Sequence, residues 1–193
     1  MKPILVLASS SEQRKALLQQ IGIDPLCIAA AIDETPQTNE RASDYVQRLA
    51  IEKCNVVFEQ KPQAIVVAAD TTISVDDKII GKPENLAECI DTLSLLSDAT
   101  HKVFTGVAVA SNSELRTFVC ETLVDFRPIS KDEMKAYWNT GEPLGKAGSY
   151  GIQGSGAIFV RALHGSYSNV VGLPLHEVSE QLRFFGYPVL DLL

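Results

Sequence analysis

The sequence predicts an α/β fold with a mixed central sheet flanked by helices, on three observations. Short apolar runs, Ile4–Ala8 and Ile65–Ala69, have the length and polar flanks of buried strands. Stretches with apolar residues at helical spacing alternate with them, Ala42–Phe58 above all. Two longer strand-like segments, Val103–Ala110 and Thr117–Phe126, are joined across only Ser111-Asn112-Ser113-Glu114 and its neighbours, which adds hairpin pairing to the sheet.

The elements follow in order. After the first strand, Ser9-Ser10-Ser11 opens a helix to Ile21, and Gly22 serves as its stop. Tyr45, Val46, Leu49, Ala50, Val56 and Val57 give the second helix its apolar stripe. The second buried strand continues through Thr71-Thr72-Ile73, and Asp76-Asp77 turns it into a partner around Lys78-Ile79-Ile80. Pro83-Glu84 starts a helix to Leu96, proline suiting a first helical turn. After the hairpin, Ser130 caps a short helix through Trp138, with Glu133 completing a capping box. Five glycines from Gly145 to Gly156 mark a long flexible stretch; Ala157–Ala162 then resumes as a strand. Leu173–Phe185 closes the chain as an amphipathic helix.

Composition narrows the function. At 193 residues the chain suits one domain, 1–193, or two lobes around one core. A 46% apolar content excludes a disordered chain. The formal charge of −7 argues against nucleic-acid binding, yet a few converging cations could still hold a phosphorylated small molecule. Cys27, Cys54, Cys89 and Cys120 are scattered without a CxxC pair, and read as reduced thiols of a cytoplasmic protein. No apolar run reaches the roughly 20 residues of a membrane span, and no signal-peptide pattern is present.

Function shows where charge interrupts an apolar pattern. At about 100° per residue the second helix's stripe spans an arc of about 140°, and Lys53 falls near its middle. Its methylenes could cover the core while the ammonium snorkels outward; the sharper reading is an ammonium aimed into a cleft that takes an anion. Asp70 follows five apolar residues inside a central strand, so it must meet a cation, a metal or several donors. Ser9 to Arg14 joins a strand to a helix N-terminus and makes a phosphate cradle, although Glu12 opposes an anion there. Glu34 lies in the Asp33-Glu34-Thr35-Pro36 loop and Lys82 at a helix entrance; taken singly, either is an ordinary solvated turn residue. Lys146-Ala147-Gly148-Ser149-Tyr150-Gly151-Ile152-Gln153-Gly154 lets backbone approach a ligand closely. His101, His164 and His176 read as structural or solvated, and neither a nucleophile elbow nor a GxxxxGK[ST] loop occurs.

Together these segments resemble the Maf family of nucleoside triphosphate pyrophosphatases, also called septum-formation inhibitor Maf-like proteins. Seven markers carry the resemblance in the family's order: Leu7–Ser11, Asp33–Pro36, Leu49–Lys53, Ala69–Thr71, Gly81–Pro83, Ala147–Gly154 and Val171–Leu175. The resemblance implies an elongated mixed sheet with an active-site cleft, akin to the inosine triphosphatase fold, in a homodimer. Tyr150–Gly154 and Gly165-Ser166-Tyr167 look like the branch acting on dTTP and UTP; a 7-methyl-GTP pyrophosphatase and a nucleotide-sensing regulator of septum formation are the alternatives. Gln13 stands where the family has the first of two arginines, which predicts a weaker phosphate grip or compensation by another base.

The chemistry implied is hydrolysis between the α- and β-phosphates, where charge neutralisation and alignment dominate. Arg14, Lys53 and Lys82, with Ser9 and Ser11, would hold the triphosphate. Glu34 and Asp70 would bind a divalent metal, Mg²⁺ or Mn²⁺, and Asp70 would accept the proton of the attacking water. Gln153 and Thr71 would meet the pyrimidine edge. An α/β protein without a site leaves Lys53 and Asp70 unexplained.

Overall fold

The computed structural model describes residues 3–112 and 114–190; Ser113, part of the expected turn, lies outside the described residues. Strand β1 (Leu5–Leu7) leads into α1 (Glu12–Gln20), capped by the Ser11 side chain, which accepts from the Arg14 N–H. A two-residue β2 (Leu26–Cys27) follows, too short to leave a pattern in the sequence. Next come α2 (Ala42–Gln60), β3 (Ile65–Val75), β4 (Lys78–Ile80) and α3 (Leu86–Leu96). The hairpin β5 (Thr100–Ser111) and β6 (Glu114–Phe126) is longer than its apolar stretches, because the ladder pairs every residue from Thr100 to Ser111. The chain ends with α4 (Lys131–Trp138), β7 (Val160–His164), α5 (Tyr167–Val171) and α6 (Leu175–Phe184).

Three further element starts differ from the sequence reading and one helix is added, each for a local reason. Helix α3 starts later than Pro83 because the Asn85 side chain accepts from the Glu88 N–H and makes Asn85 the cap. Ser155–Phe159 is a 3₁₀ turn, so β7 begins only at Val160; the N–H groups of Ser155 and Gly156 donate to Glu142 instead of to a neighbouring strand. Between Leu163 and Leu175 the short α5 was not foreseen. Ser166 caps it and Gly172, at φ 127°, ends it, so that α6 opens only after Pro174.

The sheet runs β2-β1-β3-β5-β6-β7, with β4 on the far end of β3. Strand β1 pairs in parallel with β2 and β3, and the remaining pairs are antiparallel, so the sheet is mixed as expected. Alternation along β3 sorts its side chains by face. Val66 and Ala68 pack with Ala50, Cys54 and Val57 of α2. Ile65, Val67 and Ala69 pack on the other side with Leu17 and Leu18 of α1 and Val178 and Leu182 of α6. Farther along that side, Ile73, Val103 and Phe126 meet Leu93 of α3 and Met134 of α4.

Period two then places Asp70 on the α2 face and Thr71 on the α1 face. Opposite Asp70 in the ladder stands Gly106, and a Cβ there would overlap the Val46 backbone of α2. The missing side chain lets α2 lie close against the sheet at the level of the acid. Strand β1 ends at Leu7 while β3 runs on to Val75, so a cleft opens beyond the carboxyl end of β1, where residues from both faces of β3 reach it.

Candidate active site

The cleft has a volume of about 520 Å³. Ser9, Ser11, Arg14, Glu34, Lys53, Asp70, Thr71, Lys82 and Gln153 all line it, so the structure brings every nominated residue to one place.

Lys53 and Asp70 form its buried centre. Tucked into the apolar stripe of α2, the Lys53 side chain is 9% exposed, and its Nζ lies 2.6 Å from Asp70 Oδ1 and 2.7 Å from Glu34 Oε1. The ammonium therefore does not snorkel to open solvent. An unpaired ion at this depth would be strongly destabilising, and the pairing offsets that cost. Glu34 arrives on a loop that α2 itself anchors. Tyr45 donates its hydroxyl to the Glu34 carbonyl at 2.9 Å, and Arg48 reaches the Thr35 carbonyl while forking onto Glu40. Burial by itself would raise the Glu34 pKa, but Lys53, with help from Lys82 and Arg14, holds the carboxyl below its usual range.

Arg14 is fixed on three sides. Its Nε donates to the Gly172 carbonyl at 2.9 Å, one terminal nitrogen to Ser9 Oγ at 3.3 Å and the other to Thr71 Oγ1 at 3.2 Å. Desolvation lowers its pKa, and Asp70 and Glu34 pull it back up; an arginine stays charged under both influences. Thr71 Oγ1 also lies 2.9 Å from Thr105 Oγ1, and Thr105 donates to the Asn169 carbonyl. The Thr71 hydroxyl is thus engaged with the arginine and the interior, not left open toward a nucleobase.

Ser11 caps α1 and also donates to Gln13 Oε1 at 3.1 Å, so the Gln13 side chain folds back along its own helix end. Lys82 is exposed at the rim, and its charge is felt by Glu34. The sequence reading did not nominate Lys146. It lines the cleft and donates its ammonium to the Glu142 carbonyl; the signal available was a cation at the head of the glycine-rich stretch.

That stretch is packed and hydrogen-bonded against the interior. Tyr150 is buried and its hydroxyl lies 2.8 Å from His101 Nε2, with both rings edge-on to Phe126. His101 is accordingly structural, and burial pulls its pKa down to about 4. His164 pairs with Asp125 at the surface and His176 is exposed. All four cysteines are free, with Cys54 and Cys89 buried.

Among the described residues no group of three or more His, Cys, Asp or Glu gathers around a metal position. Glu34 and Asp70 supply two carboxylates around Lys53. Mg²⁺ commonly takes one or two carboxylates and completes its shell with water and substrate phosphates. The donor set therefore fits a hard cation that enters with a polyphosphate, and does not fit a cage built from protein alone.

A cleft at the end of a mixed α/β sheet, with an arginine and a lysine held inside it by carboxylates and hydroxyls, has the form of a small-molecule site. The chain belongs to the Maf-like protein family, whose model matches residues 4–185. It is 49% identical over 177 residues to the dTTP/UTP pyrophosphatase of Acinetobacter baylyi, covering 92% of this chain and 97% of that protein. The dTTP/UTP pyrophosphatase of Myxococcus xanthus is 49% identical over 186 residues, 96% of this chain and 94% of its own. That of Colwellia psychrerythraea is 46% identical over 188 residues, 95% and 89%. Among solved structures, the Staphylococcus aureus Ham1 protein aligns with a TM-score of 0.47 at 16% identity, over 63% of this chain and 71% of that one. No helix among the described residues is long and apolar enough to cross a membrane.

Proposed function

We propose that this protein is a nucleoside triphosphate pyrophosphatase that hydrolyses dTTP and UTP to the nucleoside monophosphate and pyrophosphate. The observation that carries the reading is the buried Lys53 ammonium between Asp70 and Glu34, in the cleft that also collects Arg14, Lys82 and Gln153. The substrate class comes from the names of the relatives just described.

The residues divide the work by charge and position. Arg14, Lys53 and Lys82 neutralise the triphosphate, with the N-terminus of α1 and the hydroxyls of Ser9 and Ser11 beside them. Thr71 acts through Arg14, holding one end of the guanidinium. Gln153 is exposed in the cleft, and its amide offers a donor and an acceptor to a pyrimidine edge. Asp70 Oδ1 is occupied by Lys53, which leaves Oδ2 to accept a proton from water as the water oxygen bonds to the α-phosphorus. The bond from that phosphorus to the α,β-bridging oxygen breaks, and pyrophosphate leaves. Glu34 and Asp70 would hold Mg²⁺ or Mn²⁺, which when bound neutralises phosphate charge and lowers the pKa of water. A cytoplasmic homodimer completes the proposal.

Pyrophosphate release from dTTP, UTP, 7-methyl-GTP and ATP, with and without Mg²⁺, tests it. Turnover of dTTP and UTP above the two purine nucleotides, dependent on Mg²⁺, is expected. Preference for 7-methyl-GTP, or nucleotide binding with no pyrophosphate released, would overturn it.

A further inference from the structure

Glu142 lies outside the cleft, between α4 and the glycine-rich stretch, and carries no charge partner of the catalytic group. Its carboxylate is nevertheless well occupied. Oε1 accepts from the Tyr137 hydroxyl at 2.7 Å and from the Gly156 N–H at 3.1 Å, and Oε2 accepts from the Ser155 N–H at 2.7 Å. The Tyr137 hydroxyl in turn accepts from the Gly151 N–H at 3.1 Å, so its own proton goes to Glu142. The chain of donors therefore runs one way, from Gly151 to Tyr137 to the acid. The backbone on this circuit is shaped around it. A Cβ at Gly154 would collide with the Glu142 carboxylate, and one at Gly156 with the Tyr137 hydroxyl.

Residues 151–156 are thus tied at Gly151, Ser155 and Gly156 to one side chain, directly or through Tyr137. Gln153 stands between those ties, exposed in the cleft and with no side-chain hydrogen bond of its own among the described residues. Its position is set by the backbone beneath it. We propose that Glu142 is a positioning residue for nucleobase selection, the post on which the loop presenting Gln153 is wound. The inference rests on the pyrimidine reading of the cleft. Burial would raise the Glu142 pKa, but the Tyr137 hydroxyl and the two N–H donors outweigh it and keep the acid ionised, as an acceptor of three donors requires.

Glu142→Gln tests the inference, because the isosteric amide turns one acceptor into a donor that faces an N–H or the tyrosine hydroxyl. Amide exchange at Ser155 and Gly156 is expected to accelerate roughly tenfold or more, as loss of a charge-assisted hydrogen bond implies. KM for UTP is expected to rise about tenfold with kcat changed by less than about threefold, as for lost ground-state binding. The inhibition constant of inorganic tripolyphosphate, which has no base, stays at the wild-type value. Tyr137→Phe, which keeps both direct N–H contacts, shifts KM in the same direction by roughly threefold, and serves if Glu142→Gln does not fold. Unchanged exchange rates, an unchanged KM, or tripolyphosphate inhibition weakening in step with KM would each overturn the proposal. Wild-type protein inert toward UTP and dTTP would overturn the functional reading and the selection role together, while accelerated exchange would still support the anchoring of the loop.

Discussion

The two ends of the cleft are held by different physics. At the charged end, Arg14, Lys53 and Asp70 project from α1, α2 and β3, and their partners come from other elements; Lys53 alone touches two carboxylates. At the glycine-rich end the shape is made by backbone N–H groups closing on one acid outside the cleft and by the neutral pair His101–Tyr150. Charges buried on regular elements need partners, and those partners then fix them. At the wall the one cation of the stretch, Lys146, turns to the Glu142 carbonyl, and the shape is placed by what lies behind it.

Variants at the charged end should therefore damage chemistry and stability, and those at the wall should alter selection and pH response. The largest effect is expected from Asp70→Asn, which keeps shape but removes the proton acceptor: turnover falls by on the order of 10³, while nucleotide binding stays measurable by calorimetry. Turnover within about tenfold of wild type would move the base elsewhere and dissolve the contrast. Lys53→Met is expected to cost about 3 kcal/mol in urea unfolding, because Asp70, whose side chain is 10% exposed, loses its counter-charge. A change below about 1 kcal/mol would mean that water already screens the pair.

The wall should answer to pH instead. His101 is neutral in the fold, with its pKa pulled to about 4, and ordinary at about 6.5 when unfolded. Protonation thus favours the unfolded chain. The stability this group contributes is complete above about pH 6.5 and is lost as pH falls toward about 4, amounting to about 2 kcal/mol between pH 7 and pH 4.5. Urea midpoints of wild type and His101→Gln at the two pH values measure it; parallel lines would show that His101 is not the titrating group. The smallest effect belongs to Thr71→Val, at the seam between the ends. Losing one of Arg14's three anchors should reduce kcat/KM about tenfold, and the same loss for tripolyphosphate inhibition would assign Thr71 to the phosphate side.

Much of this arrangement was legible in the residues because it violated a pattern. Lys53 interrupts an apolar helical stripe and Asp70 an apolar strand, and each anomaly demanded a partner. The Ser11 and Ser130 caps were equally local, since side chain and backbone lie within three residues. Illegible were contacts whose two halves are far apart and individually ordinary. Glu142 is an unremarkable acid in sequence, and its value comes from N–H groups 13 and 14 residues on. The series from the Thr71 and Thr105 hydroxyls to the Asn169 carbonyl was hidden for the same reason, whereas Lys146 bonds a carbonyl only four residues back and was marked by nothing but its place beside the glycines. The glycine-rich stretch was legible as a place of close backbone approach, but not the acid and the tyrosine that its glycines make room for.

The amino-acid order by itself determined the periodicities, and through them the mixed sheet, the main helices and which charged groups could not remain unpaired. Tertiary structure alone decided which partner each group received. Alternation put Asp70 and Thr71 on opposite faces of β3, the early end of β1 let both reach one cleft, and Gly106 let α2 descend far enough for Lys53 to meet the acid. The physical reason is range: propensity and periodicity act over a few residues, whereas ion pairs and hydrogen bonds depend on distances that only packing sets.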